Sequence, residues 1–180
     1  MADETYQPKT YRKDGGDTSV VASGGVLDIE SGGALKFDSK QVYPTVVAEV
    51  LFTEAGVAGV YTGTIALPAG SRIIDVGVDG IAVWTAGTSA KLIVGDGDDD
   101  DGFFTETNLK ATDLLAGEIN NIEHPGELAG AYIVNEQRKL YSAAARNIIG
   151  VATSVGAGTA GRTRLYVVYA TPTAGAATKA

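Results

Sequence analysis

The chain predicts an all-β protein: an antiparallel β-sandwich or jelly roll, preceded by an N-terminal arm and a short β-repeat forming a β-helix-like stub. Three observations carry that expectation. Apolar and polar residues alternate along short runs, with turn residues about every 8–15 positions. There are 24 glycines against 5 prolines, the bias that many short strands joined by tight turns produce. An eight-residue unit is also written twice, as Ser23-Gly24-Gly25-Val26-Leu27-Asp28-Ile29-Glu30 and Ser31-Gly32-Gly33-Ala34-Leu35-Lys36-Phe37-Asp38.

Residues 1–17 read as an arm without hydrophobic period. From Met1 to Lys13 it sets Lys9, Arg12 and Lys13 against Asp3 and Glu4, so it is locally basic on a chain of net charge −8. Tyr6, Pro8, Lys9, Tyr11, Arg12 and Lys13 combine aromatic, rigid and cationic groups, the types that anchor interfaces. They suit a docking segment that orders on a partner.

Residues 18–40 hold the repeat. Each copy is a Ser-Gly-Gly turn, where Gly supplies positive φ, followed by a short strand. Alternation places Leu27 and Ile29 on one face, and a shift of eight places Leu35 and Phe37 there too. Residues 18–22 read as a degraded earlier copy, with Val21 in register with Ile29. Two or three such rungs bury no stripe alone, because stacked repeats need about three units or a partner. The natural partner is the same segment of another copy, so Leu27, Ile29, Leu35 and Phe37 are the expected oligomerisation residues.

Residues 41–170 read as the sandwich. Val46, Ala48, Val50 and Phe52 alternate with Val47, Glu49 and Leu51. Tyr61, Gly63, Ile65 and Leu67 follow, then Ile74, Val76 and Val78 opposite Asp75, Gly77 and Asp79, then Ala90, Leu92 and Val94. Residues 131–134 and 148–153 and the alternating Leu165, Val167 and Tyr169 supply the last strands. Helix signal is confined to residues 107–115, with Thr107 as N-cap. Residues 140–146 read as strand or loop, and residues 171–180 as a small, polar, disordered tail.

Composition narrows function. An acidic chain without clustered Lys and Arg does not offer a nucleic-acid surface. No apolar run approaches the roughly 18 residues of a membrane span, and the N-terminus lacks a signal-peptide core. With no cysteine there is neither a disulfide framework nor thiolate chemistry, which fits assembly in a reducing cytoplasm.

Four motifs invite chemistry. In the acidic run 96–102, Asp96, Asp98 and Asp100 alternate as calcium ligands would. The EF-hand order fails, with Gly102 one position late and Thr107 where a bidentate acid belongs, so a solvated turn without metal is expected. Residues 156–161 match G-x-G-x-x-G but precede a strand, so they read as a hairpin loop rather than a dinucleotide site. His124 is the only histidine, in the turn Glu123-His124-Pro125-Gly126, with no Gly-x-Ser-x-Gly elbow and no second His for a metal. Trp84 suits core or subunit contact better than a glycan platform. A small esterase or polysaccharide hydrolase drawing carboxylates from Glu49, Asp75 or Asp79 is disfavoured, since these alternate with core positions and read as solvated. No catalysis and no cofactor are expected.

The run Tyr6-Gln7-Pro8-Lys9-Thr10-Tyr11-Arg12, then Gly15-Gly16-Asp17, then Val20-Val21-Ala22-Ser23-Gly24-Gly25 and its repeat, resembles the N-terminal region of tailed-bacteriophage head decoration (cement) and head-fibre-like proteins. That resemblance covers about residues 5–37. Over much of 58–170, the segments 61–70, 90–97 and 164–169 are similar to strands of phage virion β-sandwich domains. The resemblance implies a homotrimer on the capsid exterior at local three-fold positions, bridging major capsid protein subunits, made in the host cytoplasm and without catalysis. Similar Ser-Gly-Gly repeats in phage fibres and baseplates leave a fibre or baseplate component, or a glycan-binding module, as the alternative.

Overall fold

The computed structural model describes strand residues 10–12, 19–21, 35–37 and 40–42, and residues 45–110, 113–135 and 139–171. The chain divides into two compact units, Met1–Val42 and Tyr43–Ala180.

The first unit contains two antiparallel pairs. Strand β1 (Thr10–Arg12) pairs with β2 (Ser19–Val21), setting Tyr11 opposite Val20. Strand β3 (Leu35–Phe37) pairs with β4 (Lys40–Val42), setting Leu35 opposite Val42 and Phe37 opposite Lys40. Part of the arm is thus strand, paired with the stretch that reads as a degraded octad. The strand of the second octad, β3, is thus paired with the strand that follows it in the chain.

The second unit is built from β5 (Thr45–Thr53), β6 (Gly59–Leu67), β7 (Arg72–Ala82), β8 (Ser89–Gly95), β9 (Phe104–Asn108), β10 (Ile119–Asn121), β11 (Arg146–Val155) and β12 (Arg162–Ala170). They form two four-stranded antiparallel sheets, ordered β10-β7-β12-β5 and β6-β11-β8-β9. The pairings nest: β5 with β12, β6 with β11, β7 with β10, β8 with β9. This is one long antiparallel ribbon, folded back between β8 and β9. It is rolled up so that β12 also meets β7 and β11 also meets β8. An eight-stranded double sheet wound in this way is a jelly roll.

Period-2 alternation places the core as the sequence predicts. Phe52, Ile65, Leu67, Leu92, Val94, Ile148, Ala152, Leu165, Val167 and Tyr169 are buried, while Val47 and Leu51 face out. Trp84 is buried with them.

The structure differs from expectation in four places. Ile74 is exposed and Ile73 buried, because an irregularity opposite Val168/Tyr169 inserts one residue in β7 and inverts its parity. Among the described residues of 107–115 the predicted helix does not form. Thr107 lies in β9, fully buried, and the Asp113 carboxylate accepts the Asn108 N–H across a turn at 2.8 Å. Residues 131–134 are one helical turn, α1 (Ala131–Val134), rather than strand, since Tyr132 is drawn onto the acidic loop. Finally, residues 156–161 make no hairpin: β11 and β12 belong to different sheets, and the glycine-rich segment arches between them.

Candidate functional site

The acidic run is folded into a charged corner. Asp96 is buried, and its Oδ1 accepts the N–H groups of Asp98 (2.9 Å) and Asp99 (3.2 Å) and the Tyr132 hydroxyl (2.8 Å). Its Oδ2 pairs with Arg146 Nη1 at 3.3 Å. Asp98 pairs with Lys139 at 2.7 Å, and the same ammonium lies 4.9 Å from the centre of the Tyr132 ring. The hydrogen bond from Lys139 and its charge hold the Asp98 carboxyl below its ordinary range. Burial, then the bond to Asp96, pushes the Tyr132 hydroxyl up to about 12. Burial lowers the Arg146 guanidinium, against the opposing pull of Asp96. The Tyr132 ring lies on Gly102, where a Cβ would come within 2.4 Å of a ring carbon; that glycine admits the helical turn. A cleft of about 610 Å³ opens beside this corner, lined by Asp96, Asp98, Lys139, Tyr141 and Arg146 among others.

Among the described residues, the three carboxylates that converge are Asp99, Asp100 and Asp101, with oxygens within 4.8 Å of one another. This differs from the alternating set Asp96, Asp98 and Asp100, of which two are engaged by protein cations. Burial, a hydrogen bond with Asp99 and the charges of Asp99 and Asp100 raise the Asp101 carboxyl above its ordinary range. Because Lys139 and Arg146 already pair with Asp98 and Asp96, chelator is expected to leave the melting temperature unchanged. A fall on chelation, restored by calcium, would show a structural cation instead.

A second buried carboxylate was not foreseen. Glu54, just after β5, accepts from Thr85 N (3.0 Å), Thr85 Oγ1 (2.9 Å), Ala160 N (3.2 Å) and Gly161 N (3.0 Å), all through Oε2. It thereby fastens the 156–161 arch. A Cβ on Gly158 would stand 2.1 Å from Glu54 Oε1, so glycine serves carboxylate packing here, not phosphate. Burial pushes the Glu54 carboxyl up, but the hydrogen bonds from Thr85, Gly161 and Ala160 outweigh it and leave it below its ordinary value of 4.5. With the folded value depressed, the stabilisation is present above the unfolded value and is lost as pH falls through the folded one. Glu54→Gln is therefore expected to cost about 1–3 kcal/mol at pH 7. The gap should narrow below the ordinary carboxyl value, checked by urea denaturation across pH. A gap that widened in acid would contradict this.

The remaining candidates fall as follows. Tyr11 and Arg12 lie in β1, and Leu35 and Phe37 in β3. Tyr6, Pro8, Lys9, Lys13, Leu27 and Ile29 lie outside the described residues, as do residues 172–180 of the expected tail. His124 is exposed in its turn. On the outer face of sheet β10-β7-β12-β5, Arg164 Nε donates to Asp79 at 2.7 Å and Nη1 to Glu49 at 3.3 Å. The Tyr166 hydroxyl donates to Asp75 at 3.1 Å; burial, then the Asp75 charge, pushes it up to about 12. The carboxylates weighed for hydrolysis thus sit in a ladder of side-chain partners on a sheet face, rather than converging on a cleft, and Asp79 is buried there rather than solvated as expected.

No family model matches the chain, and no curated protein matches it. Solved structures do. A chain of the acidic stable capsid structure of Helicobacter pylori bacteriophage KHP30 superimposes with a TM-score of 0.50 at 18% identity, covering 73% of this chain and 92% of that one. A chain of the capsid of Ralstonia phage GP4 gives 0.44 at 14% identity, covering 83% and 93%. One from the cyanophage Pam1 capsid asymmetric unit gives 0.46 at 17%, covering 84% and 96%. With the first, the likeness is one of fold.

Proposed function

We propose that this chain is a structural virion protein, a trimeric decoration protein that binds the outside of a tailed-phage capsid and stabilises it. The observation that carries the reading is the jelly-roll likeness to a chain of a phage capsid structure, spanning nearly all of that chain. The N-terminal resemblance to head decoration proteins points the same way from a different part of the molecule. The octad repeat, with Leu27, Ile29, Leu35 and Phe37, joins three copies. The arm residues Tyr6, Pro8, Lys9, Tyr11, Arg12 and Lys13 meet the major capsid protein, and the jelly roll points outward. A ligand that binds only the assembled shell stabilises it by mass action, roughly 2.7 kcal/mol per site at a hundredfold excess over Kd.

The test of this orientation is a truncation lacking residues 1–17, mixed with particles that lack the protein. The truncated chain is expected to fold and trimerise, yet stay in the supernatant when particles are pelleted. Undiminished binding would assign the capsid contact to the jelly roll.

A further inference from the structure

The cleft of about 610 Å³ beside the acidic corner falls within the roughly 300–1,000 Å³ of small-molecule sites. Its wall, residues 139–145, is fastened on both sides. Gly70 N donates to the Ser142 carbonyl at 2.9 Å and Ile73 N to the Leu140 carbonyl at 2.7 Å, while Arg146 at the start of β11 donates to the Lys139 carbonyl. Among the described residues, the charged side chains that line the cleft form two pairs, Asp96 with Arg146 and Asp98 with Lys139. Two further lining side chains have no partner among the described residues: Tyr141, 62% exposed, and Asn147, also exposed. Two smaller clefts differ. One of about 470 Å³ is lined by Glu106, Asp113 and Glu127 without a cationic side chain, and one of about 260 Å³ by Lys91 and Lys110 without a carboxylate. Neither is lined by an aromatic ring.

We propose that the larger cleft binds a neutral saccharide, stacked on Tyr141 with its hydroxyls on Asp98, Lys139 and Asn147. A sugar hydroxyl both donates and accepts, so it is met by donors and acceptors set side by side. Asp98 and Lys139 present an acceptor and a donor 2.7 Å apart, and the Asn147 amide presents both in one group. Tyrosine offers the less polar face of a sugar ring a large, stiff, amphipathic surface at small cost in side-chain entropy. Charge favours an uncharged ligand. An anion would compete with Asp98 for Lys139, next to Asp99, Asp100 and Asp101 and on a chain of net charge −8. A cation would compete with Lys139 for Asp98. An apolar ligand would strip water from the exposed pair and return no hydrogen bond. Neutral hydroxyls join both members of a pair without separating them. The inference goes beyond the virion role and does not rest on it.

The test applies the full-length chain to an array of neutral, anionic and cationic bacterial oligosaccharides, with a peptide array beside it, and titrates the hits by calorimetry. Binding to at least one neutral oligosaccharide is expected, with little dependence on salt. Tyr141→Ala and Asn147→Ala should each weaken it about tenfold without moving the melting temperature. Tyr141→Phe should keep most of the affinity, and Thr62→Ala, outside the cleft, all of it. If Tyr141→Ala melts early, Asn147→Ala decides. Four results would overturn the inference: no saccharide bound, binding indifferent to both alanine variants, binding confined to charged saccharides and abolished by salt, or peptides bound at Tyr141 in place of saccharides. Tyr141→Ala should pellet with capsids as wild type does; its loss from the pellet would give the cleft to the capsid and likewise overturn the inference. Capsid binding by wild type is read separately, so failure on the arrays leaves the virion role standing.

Discussion

Arg146→Ala is expected to cost about 3–5 kcal/mol of folding stability, because it strands the buried Asp96 charge without its cation. The guanidinium side chain is 14% exposed and the carboxylate 5%, so water replaces the lost partner poorly. Arg146 also donates to the Lys139 carbonyl, which ties the 139–145 loop to the start of β11. In thermal unfolding the loss should appear as a fall of roughly 10–20 °C. Asp96→Asn added to Arg146→Ala should recover part of it, since the amide removes the stranded charge while its oxygen still accepts from Asp98, Asp99 and Tyr132. A double-mutant cycle isolates the pair. Additive costs would mean that Asp96 and Arg146 are not coupled.

Trp84→Ala should be of similar size, about 3–5 kcal/mol. The indole is 1% exposed and meets Tyr61 edge to face, with ring centres 5.4 Å apart. Its Nε1 donates to Thr163 Oγ1 at 2.9 Å, and Thr163 is itself buried. Truncation therefore opens a cavity and leaves a buried hydroxyl without its donor. Trp84→Phe should cost less, about 1–3 kcal/mol, keeping an aromatic edge while losing the hydrogen bond. Urea denaturation measures both; a neutral Trp84→Ala would contradict the burial of this side chain and reopen its use as a glycan platform.

What was legible in the sequence is what local periodicity encodes. The inward sets Ile65 and Leu67, Leu92 and Val94, and Leu165 and Val167 follow from alternation alone, because a half-buried strand must place successive side chains on opposite faces. What was not legible depends on residues far apart in the chain. Ile73 replaces Ile74 in the core because of an irregularity set by β12, on another part of the ribbon. Thr107 reads as an N-cap until β8 offers it a strand partner in Leu92. The glycine-rich segment 156–161 reads as a hairpin until its two flanking strands are seen in different sheets. Glu54 gives no local sign of burial, since its partners lie 31 and about 107 positions away. The acidic run was legible as a loop. The pairing of Asp98 and Asp96 was not, because Lys139 and Arg146 lie 41 and 50 positions further along the chain. The octad stripe and the arm are patterns of sequence, and their roles belong to the proposal.

The virion role is tested most directly by adding the full-length chain to purified capsids that lack it and pelleting the particles. The account predicts saturable co-sedimentation, in multiples of three copies per binding position, with particles that then resist heat better than bare ones. A chain that stays in the supernatant with capsids, yet pellets with host cells or with purified tails, would contradict it.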